Sequence, residues 1–206
     1  ILDRNGLRPA RYQIDNFKLH QKKNIISYLL YVSFFPQLIA GPIIRYSHFL
    51  SEIIKNKFLK INNENLSIGI SIIILGLFKK VVLADTAGFY VDSMYNQIYN
   101  GDSINGFDLL FFIIFFSVQI YFDFSGYSDI AVGVAKILNF NLPINFNSPF
   151  KAHSIIDFWK RWHITLSQFF RDYFYIALGG NKNIFIVKFF LIIFVMMVVG
   201  LWHGAS

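Results

Sequence analysis

Long apolar stretches alternate with short polar segments along this chain, and several of the apolar stretches have the length of membrane-spanning helices. Residues 66–84, 107–122 and 184–202 consist mainly of apolar side chains. A helix needs ~20 such residues to cross a bilayer. The pattern therefore predicts an all-α, polytopic bundle of transmembrane helices.

A fourth apolar stretch, 25–44, is long enough to span but is interrupted in its second half by Pro36, Gly41 and Pro42. Proline cannot donate the helical hydrogen bond, and irregular backbone at membrane depth is tolerated only where protein or water covers it. We therefore predict a broken, re-entrant segment here.

The polar segments between the apolar stretches suggest which side each one faces. Residues 85–108 carry four aspartates and no Lys or Arg, whereas 136–182 is basic. Because cytoplasmic loops favour Lys and Arg, the first is predicted to be an outside loop and the second to be cytoplasmic. Ser125-Gly126 is predicted to end one helix and start another.

Residues 154–177 show a different periodicity, with apolar and charged positions on opposite faces of a 3.6-residue helix. Ser154 and Asp157 resemble a capping box, and the Gly179-Gly180-Asn181 stretch is a plausible stop. The pattern predicts one amphipathic helix that either lies along the membrane interface or lines a polar cavity.

Composition agrees with a membrane protein: 55% of the 206 residues are hydrophobic, 19% are aromatic and only 15% are charged. The formal charge of +7 comes with no nucleic-acid-binding motif, so the basic residues fit loops facing anionic lipid. The absence of cysteine excludes disulfides and thiolate nucleophiles. We treat residues 1–206 as a single membrane-embedded domain that forms the central fragment of a longer chain.

Two histidines are candidates for chemistry. His163 falls on the apolar face of the predicted amphipathic helix; it is either a hydrogen-bonded core histidine or a neutral group that accepts a proton or positions a substrate. His203 follows an apolar run, between Trp202 and Gly204, and is either a functional intramembrane group or a boundary residue beside an interfacial tryptophan.

Two carboxylates, Asp123 and Asp129, interrupt an apolar stretch and should be paired, hydrogen-bonded or water-facing. We interpret them as structural more readily than catalytic. The spacing of the histidines does not match a metal-binding motif, so no metal is expected.

Four motifs, in this order, resemble the membrane-bound O-acyltransferases. They are FFPQLIAGP (residues 34–42), YFDFSGYSD (121–129), FWKRWHITLS (158–167) and GLWHGA (200–205). The residues of these motifs are most similar to those of the bacterial alginate O-acetylation branch, whose members acetylate exported polysaccharides. The branch that transfers D-alanine to teichoic acids is similar but usually differs around the first motif.

This resemblance implies a many-helix bundle with a tunnel, in which His203 is catalytic and His163 is the second active-site polar residue. It further implies a multi-pass protein of the cell inner (plasma) membrane, a polysaccharide acceptor, and a periplasmic or extracellular acetylation partner protein. Acetyl-CoA or a partner-delivered acyl thioester is the expected donor, with no bound cofactor. Lys151, Lys160, Arg161 and Arg171 could attract donor phosphates or simply reflect the cytoplasmic charge bias.

Two other classes of function fit the composition. A transporter could use His163, His203, Asp123 and Asp129 as a proton or solute path, although the broken segment 25–44 has no detectable repeat partner. The other hypothesis is a non-catalytic component of an export complex.

Overall fold

The computed structural model describes residues 25–38, 40–54 and 62–204, and every regular element in these ranges is helical. The α-helices are α1 (Ile25–Val32), α2 (Tyr46–Ile54), α3 (Asn63–Leu77), α4 (Asp85–Asn100), α5 (Gly106–Ile137), α6 (Ile155–Trp159), α7 (Ile164–Phe170) and α8 (Phe185–His203). π-Helical turns cover Phe78–Ala84 and Arg171–Tyr175, and 3₁₀ turns cover Phe35–Gln37, Pro149–Lys151 and Gly180–Lys182. The all-α prediction is confirmed.

Three continuous helices are long and apolar enough to cross a membrane: Asn63–Asn100, Gly106–Ile137 and Phe185–His203. The predicted spans 66–84 and 107–122 fall within the first two helices, and the predicted span 184–202 matches the third to within one residue at each end. A polytopic membrane protein is therefore confirmed, and the first two predicted spans were shorter than the helices that contain them.

The prediction of an outside loop over residues 85–108 is wrong as regards the loop. α3 continues through the π turn Phe78–Ala84 into α4, which ends only at Gly101, where φ is +78°. The aspartates did not mark a loop, because Asp85 forms an ion pair with Lys80 from the preceding turn and does not interrupt the helix. Only a short connection, with Asn105 as the N-cap of the next helix, separates α4 from α5.

The predicted helix break at Ser125-Gly126 is also wrong, because α5 passes through both residues. Gly126 instead lets two helix backbones touch. A Cβ at Gly126 would lie 2.7 Å from the carbonyl oxygen of Gly76 on α3, and a Cβ at Gly76 would lie 2.7 Å from that of Gly126. Gly69 and Gly133 form a second reciprocal pair at the same distance, so α3 and α5 pack antiparallel along a glycine seam.

Asp123 and Asp129 of α5 are paired, which is one of the environments that the sequence predicted for them. Asp129 accepts from Lys79 at 2.5 Å, and Asp123 lies 2.6 Å from Lys80. Both lysines belong to the π turn Phe78–Ala84, so these ion pairs hold that turn against α5. This arrangement supports a structural interpretation of the carboxylates.

The segment 25–44 is broken, as predicted. α1 ends at Val32, the 3₁₀ turn Phe35–Gln37 follows, and the described residues between this turn and α2 form no helix. A buried aromatic cluster anchors it: the ring of Phe34 lies 4.7 Å from Phe140 and 5.3 Å from Phe49. Phe140 lies just after α5, so the cluster attaches the broken segment to the C-terminal end of α5.

The single amphipathic helix predicted over 154–177 is wrong. The chain forms α6, turns at Lys160–His163, and then forms α7 and the π turn Arg171–Tyr175. Ser154 does cap α6, by accepting from the backbone N–H of Asp157 at 3.1 Å. Sequence periodicity missed the turn because both flanking pieces keep a helical pattern of apolar positions. The predicted stop is confirmed at Gly179, where φ is +96°.

Candidate functional site

His163 occupies the turn between α6 and α7, as the residue that precedes the first turn of α7. Its backbone is left-handed, with φ +40° and ψ +57°, a conformation that costs a non-glycine residue of order 1–2 kcal/mol. The imidazole is therefore not on the face of a continuous helix, as its sequence position suggested. The turn aims it inward, and only 7% of the residue is exposed.

Aromatic rings surround this imidazole. Phe124 of α5 meets it edge-on with centroids 4.7 Å apart, and the Phe146 ring lies 6.4 Å away and nearly parallel. These rings exclude water from the imidazole. Burial and, as the smaller cause, the charge that His203 can carry together lower the pKa of His163 to about 4. His163 is consequently neutral at physiological pH.

A buried asparagine organises the turn. The side-chain oxygen of Asn145 lies 3.3 Å from Nδ1 of His163 and accepts from the hydroxyl of Thr165 at 2.7 Å and its N–H at 3.3 Å. The backbone carbonyl of Asn145 accepts from the N–H of Ile164 at 2.8 Å. One residue in the loop after α5 thus fixes both the backbone and the side chains at the start of α7.

The same network reaches the first sequence motif. The hydroxyl of Thr165 accepts from the N–H of Ile43 at 3.0 Å, immediately after the Gly41-Pro42 break. Asp172, in the π turn that follows α7, forms an ion pair with Arg45. Ile43 of the broken segment and the adjacent Arg45 are therefore tied to α7 and the following turn, which brings together parts of the chain that are far apart in sequence.

His203 is the last residue of α8 and is followed by Gly204, whose φ of +116° ends the helix. Its Nδ1 lies 2.9 Å from the carbonyl oxygen of Val199. A carbonyl only accepts, so Nδ1 donates and carries the proton. The neutral ring then presents an unprotonated Nε2, and the side chain is exposed in the described part of the chain.

The structure brings the two histidines into electrostatic range of each other, since His203 contributes to the lowered pKa of His163. The contact between their elements is aromatic: Trp202 lies 6.4 Å from Phe170, the last residue of α7, and 4.8 Å from the ring of His203. Two imidazoles of different character, one buried and one exposed, thus lie on neighbouring elements.

Two of the four basic residues considered for donor phosphates already engage carboxylates. Arg161 lies 3.0 Å from Asp157, and Arg171 lies 2.8 Å from Asp172. Lys151 and Lys160 are exposed. Any attraction for phosphate therefore rests mainly on these two lysines.

Sequence reasoning missed Asn145 altogether. It lies in a segment that also contains Asn139, Asn141 and Asn147, and its spacing from His163 matches no motif. Its distinguishing property is burial, with 1% of the residue exposed, whereas Asn147 is exposed. Only the path of the loop beside α7 reveals it.

The spanning helices, the broken segment and the paired histidines define a polytopic membrane protein with a histidine-containing site where a spanning helix meets short helices. The chain belongs to the MBOAT, membrane-bound O-acyltransferase family, whose profile matches residues 10–206. The resemblance in the four motifs is thereby confirmed.

Named relatives span two kinds of acyl transfer. The chain is 43% identical over 183 residues to a peptidoglycan O-acetyltransferase of Helicobacter pylori, covering 89% of this chain and 34% of that protein. It is 37% identical over 186 residues to a probable alginate O-acetylase of Pseudomonas syringae, with the same coverages. A teichoic acid D-alanyltransferase of Bacillus subtilis is 32% identical over 188 residues, 86% of this chain and 46% of that protein. The chain thus spans about a third of the length of the first two relatives.

Proposed function

We propose that the whole protein transfers an acetyl group from a thioester to a hydroxyl of an exported glycan, with His203 as the general base. Family membership and the identity to two O-acetyl-transferring relatives support the reaction class. The observation that carries the role of His203 is its hydrogen bond to Val199, which leaves Nε2 free to take a proton.

The proposed step balances as follows. The acceptor oxygen attacks the thioester carbonyl carbon while its proton moves to Nε2 of His203. The tetrahedral intermediate then collapses, the carbon–sulfur bond breaks, and the departing thiolate takes the proton from His203. The products are an acetyl ester and a free thiol, and no covalent acyl-enzyme is involved.

The environments of the two histidines favour this division of roles. His163 is a weak base because burial lowers its pKa to about 4, so at neutral pH it holds a proton poorly. His203 is exposed in the described chain and is the better candidate to receive the proton. His163 then contacts the substrate without changing its own protonation state.

Acceptor, donor and partners belong to the same proposal. The acceptor is an alginate-like polymer or the glycan of peptidoglycan, because relatives of both names are similar to this chain. The donor is acetyl-CoA or a thioester delivered by a partner, and the location is the inner (plasma) membrane. A periplasmic or extracellular partner protein would complete the acetylation of an exported polymer.

The test is His203→Ala in the whole protein in its native membrane, with ester-linked acetate measured on the isolated surface glycans. We expect acetylation to fall to the level of a deletion strain while membrane insertion is unchanged. The matched control is His153→Ala, which removes an exposed histidine from the turn before α6 and should leave acetylation intact. Normal acetate content in the His203 variant would refute the proposed base.

A further inference from the structure

The hydrogen-bond donors around Asn145 determine which of its side-chain atoms faces His163. The N–H of Thr165 can only donate, and it lies 3.3 Å from the side-chain atom assigned as Oδ1. That atom must therefore be the oxygen. The hydroxyl of Thr165 accepts from Ile43, so its own proton is free to be donated to the same oxygen at 2.7 Å. The orientation of the amide follows from chemistry.

An oxygen facing Nδ1 of His163 fixes the tautomer of that ring. Oδ1 cannot donate, so the 3.3 Å contact is a hydrogen bond only if Nδ1 carries the proton. His163 is neutral at physiological pH, and a neutral imidazole holds one proton, so Nε2 has a free lone pair. A ring in this state can accept a hydrogen bond through Nε2 but cannot donate one to a carbonyl oxygen or an oxyanion.

We propose that Asn145 is a positioning residue that holds the proton of His163 on Nδ1, so that Nε2 accepts a hydrogen bond from a hydroxyl of the acceptor glycan other than the one that attacks. The inference rests on the proposed function for the identity of the substrate group. It chooses among roles that the sequence leaves open: His163 orients the acceptor through this second hydroxyl, whereas the developing oxyanion is stabilised by other groups.

The side-chain nitrogen of Asn145 supplies a suitable substitution. In the described part of the chain, Nδ2 is buried and makes no hydrogen bond. Asn145→Asp therefore keeps an oxygen for all three donors and sacrifices no hydrogen bond of the amide. It places a carboxylate against Nδ1–H, and a nearby negative charge favours the imidazolium. The other groups facing the ring are uncharged Phe124 and Phe146, together with His203.

The direct experiment is nitrogen NMR of the whole protein in bilayers, labelled at the histidine ring nitrogens. The signals of His163 are identified by their loss in His163→Asn. At pH 7 we expect Nδ1 protonated and Nε2 unprotonated. Protonation at Nε2 in the neutral ring would overturn the inference, whatever the protein acetylates.

The functional experiment is the pH profile of acetyl transfer by Asn145→Asp, compared with Asn147→Asp as a control that adds the same charge at an exposed site two residues away. Protonated His163 lacks the lone pair, so Asn145→Asp should shift the acidic limb to higher pH while the control keeps the wild-type profile. An unshifted limb in a folded Asn145→Asp protein would exclude the positioning role. If the functional proposal itself were wrong, the His203→Ala variant would instead show unaltered acetylation.

Discussion

The glycine seam between α3 and α5 makes a quantitative prediction for Gly126→Ala. The added Cβ would lie 2.7 Å from the carbonyl oxygen of Gly76, whereas ordinary van der Waals contact begins at 3.4 Å, so the helices must separate by about 0.7 Å. The neighbours are backbone: the N atom of Lys80 is 3.1 Å away, in the π turn. A rotamer change cannot relieve this clash.

The size of the effect follows from two opposing terms. Alanine is favoured over glycine inside a helix by about 1 kcal/mol, whereas overpacking costs about 1–3 kcal/mol. Separation would also strain the ion pair between Lys79 and Asp129, which spans the same interface. We therefore expect Gly126→Ala to be net destabilising, by up to about 2 kcal/mol.

The assay is reversible unfolding of the whole protein in mixed detergent micelles, with Gly106→Ala as the matched control. Gly106 begins the same helix, and among the described residues nothing lies within 4 Å of a Cβ placed there. The control should be neutral or slightly stabilising. If Gly126→Ala unfolds at the same denaturant level as Gly106→Ala, the close approach of the two helices is incorrect.

Three further outcomes are expected. Lys79→Met should destabilise the protein, and a double-mutant cycle with Asp129→Asn should give a coupling energy of about 0.5–3 kcal/mol; additive effects would contradict the ion pair. The free energy of unfolding of His163→Asn should exceed that of His163→Ala by about 1 kcal/mol, because asparagine tolerates the left-handed backbone. Equal free energies of unfolding in the two variants would argue against that conformation. Because the pKa of His163 is lowered to about 4 in the folded state, unfolding takes up a proton below about pH 6.5. Stability should therefore fall as the pH drops from about 6.5 to about 4, and His163→Asn should show a smaller loss in that window.

Hydrophobic patterning predicted the class of fold because length and apolarity alone identify a spanning helix. It failed where one helix continues beyond the apolar stretch. α4 carries Asp85 and Asp92, and these charges were taken as evidence of a loop. A helix tolerates such residues when they are paired or exposed, and Lys80, which pairs with Asp85, lies in the adjacent turn. The charges of this segment therefore did not predict its connectivity.

At the candidate site, the sequence identified the two histidines but not their arrangement in space. His163 and His203 were recognisable from their motifs, since each is an ionisable group in an apolar context. Their geometry was not predictable. The left-handed turn at His163 depends on hydrogen bonds that Asn145, 18 residues earlier in the chain, accepts. Asparagine is common in loops, so nothing local distinguishes the buried one.

The two histidines show how one protonation pattern can support two roles. In each ring Nδ1 faces an oxygen, from Val199 for His203 and from Asn145 for His163, so both present an unprotonated Nε2. What differs is the cost of adding a proton. Burial among phenylalanine rings disfavours a proton on His163, and a charge on His203 disfavours it further. Under the proposed function, we therefore expect a proton released from the substrate hydroxyl to move to His203, where its charge helps to keep His163 neutral. The chemical asymmetry of the pair follows from burial, since the two side chains are identical.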